Sequence, residues 1–188
     1  PLGELVAAVL DTFPELQRLR MSSLDGIEID PLLFELFAGE RRLMPHLHLS
    51  LQHGHDLILK RMKRRHSRAD AIDLVTRLAA RRPDLAVGAD LIAGFPTETE
   101  EHHAANLAII RELRIVHAHV FPYSPRPDTP AARMPQVDRA TIKRRAADLR
   151  IPDIAEDQNQ EVSPSGPHSV RISLPTMSCA SCVGRVDK

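Results

Sequence analysis

The sequence predicts an α/β chain built as an incomplete (β/α) barrel of about four parallel strands, followed by a disordered linker and a short tail. Three observations predict it. Segments with helical and strand patterning alternate from residue 2 to about 150, the order that produces parallel strands joined by right-handed crossovers. Each strand is polar on one face, whereas a sheet covered on both sides is apolar on both; a polar inner face suits a barrel or half-barrel with a polar ligand in its lumen. Composition then breaks near residue 150. Residues 151–170 hold Asp153, Glu156, Asp157 and Glu161 with no Lys or Arg, and add Pro152, Pro164, Pro167 and Gly166. Such a stretch buries too little apolar surface to offset the cost of ordering. The expected units are therefore the barrel portion (1–150), the linker (151–169) and the tail (170–188).

Leu2, Leu5, Val6, Val9 and Leu10 have helical spacing. A strand is expected over 19–24. Asp30 can cap the next helix, and Pro31 suits its first position. Leu47, Leu49 and Leu51 alternate with His46, His48, Ser50 and Gln52, the two-residue period of a strand. Ser67 with Asp70 three residues on resembles a capping box opening a helix to about Ala80. Residues 85–94 read as a third strand. Thr97 or Thr99 caps a helix that starts with acidic residues and runs to about Leu113. Residues 116–123 read as a fourth strand, and 138–149 as a last helix. Four strands do not close a barrel, so further strands are expected ahead of Pro1.

The inner face is expected to carry Arg20 with Ser22, then His48, Ser50 and Gln52, then Asp90 beside small Gly88, then His117, His119, Phe121 and Tyr123. Leu47, Leu49, Leu51, Val87, Ala89, Leu91, Val116, Ala118 and Val120 face the helices. A buried carboxylate needs a partner, so Asp90 is expected either on a ligand or in an ion pair with Arg20.

Bulk numbers bound the function. The 188 residues are 43% hydrophobic and 27% charged, with Lys+Arg and Asp+Glu at 25 each. That balance gives no global attraction to nucleic acid or membrane. Residues 1–150 hold 22 Lys/Arg against 20 Asp/Glu, so a polyanion would need a local patch. One candidate is the run Lys60, Arg61, Lys63, Arg64, Arg65 and Arg68, although such a run is more often a solvated face. No segment approaches the ~18 apolar residues of a membrane span, and no secretory signal is visible. The two cysteines exclude a disulfide framework and leave a reducing cytoplasm as the default compartment.

Four stretches carry more specific chemistry: "LRMSSLDGIEID", "PHLHLSLQHGHDLILKRMKRRHSR", "GADLIAGFPTETEE" and "HVFPYSPRPDTPAARM". In this order they resemble the motifs of the radical S-adenosylmethionine tRNA methylthiotransferases, closest to the branch acting on threonylcarbamoyladenosine. The resemblance covers about residues 2–150 and implies the C-terminal part of a TIM-like radical SAM core. It implies a 4Fe–4S cluster, S-adenosylmethionine and a tRNA substrate that receives a methylthio group. The family's CxxxCxxC cluster motif does not occur in this sequence, and three thiolates are the basis of such a cluster, so the chain alone is expected to be inactive.

By that resemblance Ser50, Gln52, Asp90, Gly94 and Pro96 line the S-adenosylmethionine site, with Arg64 placed to clasp its carboxylate. Gly94 and Pro96 also read as turn-formers that let backbone approach the cofactor. Tyr123 and Arg126 face the substrate base, although Pro122, Pro125 and Pro127 equally suit a rigid turn. Three residues depart from the pattern: His53 replaces a Ser, and Thr97 and Asp128 each replace a Gly.

The tail "SVRISLPTMSCASCVGRVDK" reads as a strand, with Val170, Ile172 and Leu174 alternating, followed by a loop. It resembles the opening of the heavy-metal-associated domains of copper-transporting P-type ATPases. Cys179 and Cys182 are soft thiolates suited to Cu(I), so a copper-binding module is an alternative function. A second alternative is a histidine-metal hydrolase, since His46/His48 and His117/His119 are HxH pairs, each on one strand face. No acidic partner for those pairs is evident from spacing.

Overall fold

The computed structural model describes residues 1–150. The expected linker (151–169) and tail (170–188), with the strand expected over 170–174 and the loop expected to carry Cys179 and Cys182, lie outside the described residues.

Three parallel strands, β1 (His46–Gln52), β2 (Ala86–Ala93) and β3 (Ile115–Pro122), form one open sheet in the order β1-β2-β3. Helices α1 (Leu2–Thr12), α2 (Pro31–Gly39), α3 (Asp56–Arg61), α4 (Arg68–Arg81), α5 (Glu100–Glu112) and α6 (Arg139–Leu149) precede, connect and follow the strands. Leu47, Leu51, Ala89, Leu91 and Ala93 are buried with Leu33, Phe37, Leu78, Ile109 and Leu149 of the helices in a single core. Among the described residues no helix is long and apolar enough to cross a membrane.

The helix boundaries follow the local chemistry. Asp30 Oδ1 accepts from the Leu33 amide at 2.9 Å and Oδ2 from Gly3 N at 2.8 Å, so the carboxylate that caps α2 also fastens α1. Pro31 is the first residue of α2, where no amide is needed. Ser67 and Asp70 close the expected capping box on α4. Thr99, not Thr97, caps α5. Its hydroxyl accepts from His102 N while its amide donates to His102 Nδ1. Asp138 caps α6 through the Thr141 amide.

The segment expected as a first strand is not continuous. Leu19 bridges Leu43 and Leu24 bridges Leu49, both parallel, with Leu24 N donating to His48 O and Ser50 N to Leu24 O at 2.8 Å each. Five residue steps separate the contacts on one side and six on the other. A one-residue mismatch breaks a parallel ladder, so this segment touches β1 at Leu49 and the chain just ahead of it at Leu43 instead of pairing along the strand.

Val116 also departs from expectation. A register shift between Val87 and Gly88 pairs Val87 with Ile115 and Gly88 with His117. Ile115 therefore takes the helix-facing position, and Val116 is 39% exposed. Beyond the irregularity the expected alternation resumes, with Ala118 and Val120 packed against the core.

Candidate functional site

The polar face of the sheet brings together side chains from all three strands. Gly88 lies between His48 of β1 and His117 of β3 in the register. A Cβ there would stand 2.5 Å from His48 Nδ1 and 3.2 Å from its Cε1, so the missing side chain makes room for the imidazole. His48 Nε2 lies 3.0 Å from Asp90 Oδ1, and His119 Nδ1 3.2 Å from the same oxygen. Burial pushes the Asp90 carboxyl up, but hydrogen bonds and charge from His48, then bonds from Ser23 and His119, outweigh it and leave the group below its ordinary value. The expected Arg20–Asp90 pair does not form; the carboxylate is taken by the two histidines. Arg20 instead acts on His46. Burial, then the charges of Arg20, His48 and His117, lower the His46 pKa to about 4. His46 Nδ1 is buried without a hydrogen-bond partner among the described residues.

The carboxyl ends of the strands build a rim. Gln52 ends β1 with φ +67° and is buried. Ser50 offers its carbonyl to Arg64 Nη2 at 2.7 Å. Tyr123 continues β3, its amide donating to Ala93 O at 2.8 Å, and its ring meets Phe95 edge-on at 5.4 Å. Its hydroxyl is buried without a partner among the described residues, and burial raises its pKa. The Arg126 carbonyl accepts from Thr129 Oγ1 at 2.9 Å and closes the proline-rich turn.

Arg64 has a different environment from the solvated run it belongs to in sequence. Besides Ser50 O, its Nη2 reaches Asp25 Oδ2 at 3.2 Å, and its side chain is only 6% exposed. His66 Nδ1 stands 3.3 Å from Asp25 Oδ1. Burial raises the Asp25 pKa, but His66 and Arg64 override it and hold the carboxyl low. The guanidinium expected to clasp a ligand carboxylate thus holds a carboxylate of its own chain. Arg68 likewise binds Gly54 O and Ala105 O and pairs with Glu112. Much of the basic run therefore fastens the fold.

The turn after β2 is organised by Glu98, which the sequence suggests only as a helix opener. Glu98 Oε2 accepts from Gly94 N (3.0 Å) and Phe95 N (3.1 Å) and lies 3.3 Å from His53 Nε2. Oε1 and the Glu98 carbonyl accept from Arg145 Nη1 at 3.1 and 3.0 Å. Arg145 Nη2 continues to Glu100 Oε1 at 2.7 Å. His53 Nδ1 accepts the His55 amide at 3.0 Å, which assigns the ring proton to Nε2 and makes it the donor to Glu98. Burial lowers the His53 pKa and keeps the ring neutral. Gly94 has φ +73°, and a Cβ there would meet Ile142 of α6. Packing against α6 accounts for this glycine, with its amide turned to Glu98. Pro96 sits in the same turn, between Phe95 and Thr97.

Arg145 and Glu98 are the site residues that sequence reasoning passed over. A signal for Arg145 exists: it shares the spacing of Ile142, Ala146 and Leu149, so it falls on the buried stripe of α6. Nothing comparable marks Glu98, whose role depends on contacts from three separate elements.

Comparison with known proteins agrees with this architecture. The family model of the radical SAM superfamily matches residues 14–108. The chain is 53% identical over 148 residues to the threonylcarbamoyladenosine tRNA methylthiotransferase MtaB of Rickettsia prowazekii, covering 79% of this chain and 35% of that protein. It is 36% identical over 157 residues to the tRNA-2-methylthio-N(6)-dimethylallyladenosine synthase of Ehrlichia chaffeensis (84% and 35%), and 38% identical over 169 residues to that of Ruegeria (88% and 38%). The chain spans about a third of the length of these curated relatives. The motifs, the parallel sheet with its polar face and the family match together place the chain in the radical SAM superfamily, and within it the sequence is similar to the tRNA methylthiotransferases.

Proposed function

We propose that residues 1–150 form the cofactor-facing wall of a radical S-adenosylmethionine tRNA methylthiotransferase acting on a modified adenosine. The observation that carries this reading is the sharing of one sheet face by His48, Asp90, His117 and His119, with a polar rim at the strand ends, in a chain 53% identical to MtaB. Ligand sites of barrels collect at the carboxyl ends of strands. At that end Tyr123 Oη, buried without a partner among the described residues, fits a polar nucleoside that would complete it.

Ser50, Gln52, Asp90, Gly94 and Pro96 lie along or at the ends of β1 and β2, where S-adenosylmethionine would be held. Arg64 supports that wall from behind through Ser50 O and Asp25. Tyr123 and Arg126, at the end of β3, face the adenosine. S-adenosylmethionine supplies the radical precursor when bound; the chain's own part is to position it and exclude water.

The residues present do not fit a 4Fe–4S cluster. The sequence has two cysteines, Cys179 and Cys182, and no CxxxCxxC, so it cannot offer three thiolates. The chain alone therefore does not methylthiolate tRNA. A chimera tests the reading: residues 1–150 replace the matching segment of the R. prowazekii protein. Methylthioadenosine in tRNA, detected by mass spectrometry of nucleosides, supports it. A chimera that folds and binds cluster and S-adenosylmethionine but leaves tRNA unmodified overturns it.

A further inference from the structure

We propose that His48, Asp90 and His119 form a binding site for a divalent first-row transition metal of the zinc type. One side chain comes from each of the three parallel strands, and one donor atom from each lies within 4.8 Å of the other two. Zinc takes imidazole nitrogen and carboxylate oxygen at about 2.0–2.2 Å in tetrahedral geometry, which separates its ligands by roughly 3.3 Å. The His48 Nε2–Asp90 Oδ1 and His119 Nδ1–Asp90 Oδ1 separations are 3.0 and 3.2 Å. Two of the three ligand separations are thus close to those of the coordinated state; metal entry displaces the proton each imidazole directs at Asp90, to the other ring nitrogen or to solvent, and replaces two hydrogen bonds with three coordinate bonds.

The frame around the donors is stiff on one side and open on the other. Asp90 pairs with His119 and Gly88 with His117 in the β2–β3 ladder, which fixes the backbone of both strands. Gly88 leaves the space that the His48 ring fills. The side chains of His48 and Asp90 are 6% and 14% exposed, whereas His119 is 52% exposed. Two ligands are therefore set in the wall. The third closes from the solvent side and leaves a coordination position for water or an anion. Two imidazoles and one carboxylate select borderline metals such as Zn²⁺, Co²⁺ or Ni²⁺ over Mg²⁺ and Ca²⁺, which want oxygen, and over Cu(I), which wants thiolate. Asp90 is the acidic partner that the HxH spacing left unidentified, because parallel pairing, not sequence distance, delivers it. The inference rests on the same sheet face as the proposed function and shares Asp90 with it; metal titration of this chain and tRNA modification by the chimera fail separately, so the two readings are told apart.

The test uses the full chain with Cys179→Ser and Cys182→Ser, which removes the thiolates as competing ligands. Zn²⁺ is titrated calorimetrically, and Co²⁺ is followed by its visible ligand-field spectrum. One equivalent is expected to bind with a tetrahedral Co²⁺ spectrum. His48→Gln, Asp90→Asn and His119→Gln are each expected to weaken binding by at least about tenfold, the scale on which altered metal sites lose affinity. His119→Gln alters a half-exposed ring and keeps the test valid if the buried substitutions unfold the chain, which thermal melting by circular dichroism reports. His55→Gln, outside the group, should leave affinity unchanged. Binding that disappears with the two cysteines, or that His119→Gln leaves intact, overturns the assignment, as does equal loss with His55→Gln.

Discussion

The guanidinium of Arg145 lies 3.1 Å from the Glu98 carboxylate, and both side chains are removed from solvent, at 4% and 0% exposure. With this contact, the bond from Arg145 to the Glu98 carbonyl and the packing of Ile142 on Gly94, α6, the last element of the described chain, holds the turn that follows β2. Glu98 turns its other oxygen to the Gly94 and Phe95 amides and to His53, so Arg145 acts on the backbone of the rim through the carboxylate.

Removing Arg145 should therefore cost more than a surface ion pair. Arg145→Met leaves Glu98 buried with less compensation, and breaking a buried pair costs about 3–5 kcal/mol. Glu98→Gln/Arg145→Met replaces the charged pair with a neutral one and should recover part of the loss. Denaturant melts of the two variants check this; a double variant less stable than Arg145→Met alone would contradict the pairing.

Acid should destabilise the chain in two stages. Burial depresses the His53 pKa below its ordinary 6.5, so the folded state takes up a proton less readily than the unfolded state. That stability is complete above the unfolded value and is lost as pH falls from there toward the folded value, at up to about 1.4 kcal/mol per pH unit. Asp25 and Glu98 are also held below their ordinary values, their partners outweighing burial. Their contribution is present above the normal carboxylate range and lost below it. Stability measured against pH should decline first below about pH 6.5 and more steeply in the carboxylate range. His46, held at about 4, and His102, also lowered by burial, act in the same window, so His53→Ser should shrink the first decline without abolishing it and keep the second.

Two departures from the family pattern coincide with backbone conformation. Thr97 and Asp128, each standing where the resemblance expects Gly, have φ +67° and +66°. The left-handed region costs an L-residue roughly 1–2 kcal/mol, most for a β-branched side chain. Thr97→Gly should raise stability by about 1 kcal/mol on that scale, despite losing the 2.6 Å bond from Arg61 to the Thr97 hydroxyl. Asp128→Gly should gain less, because Asp tolerates this region better. Thr97→Val keeps the strain without the hydroxyl and should melt below the parent. Thermal melts rank the three.

Those positions also show how far the sequence could be read. Asp30, Ser67, Thr99 and Asp138 declare helix starts because each cap needs only a few neighbouring residues. The alternation of Leu47, Leu49 and Leu51 with His46, His48 and Ser50 declares β1 in the same way. Leu19–Leu24 could not be judged locally, since its pairing fails on a one-residue mismatch with a segment 24 residues downstream. Val116 reads as helix-facing by strict alternation, and only the shift at Val87/Gly88 turns it outward. The site divides likewise. His48 and His119 were visible as members of HxH pairs, whereas Asp90 as their partner and Glu98 as a hub depend on elements dozens of residues apart.

Gly94 gives the most direct test of how α6 and the rim depend on each other. Its φ of +73° disfavours any other residue, and the path of a new Cβ is blocked by Ile142. Gly94→Ala should thus cost the left-handed strain of roughly 1–2 kcal/mol plus a packing penalty of about 1–3 kcal/mol for the extra carbon. The two costs separate in a double-mutant cycle, because shortening Ile142 relieves the second and leaves the first. Ile142→Ala is expected to destabilise the parent by removing packed methyl groups, yet cost less in the Gly94→Ala background. A coupling of about 1 kcal/mol or more, read from denaturant midpoints, is the expected result. Strict additivity would mean that α6 moves aside freely. The Arg145–Glu98 contact would then not fix the helix against the turn.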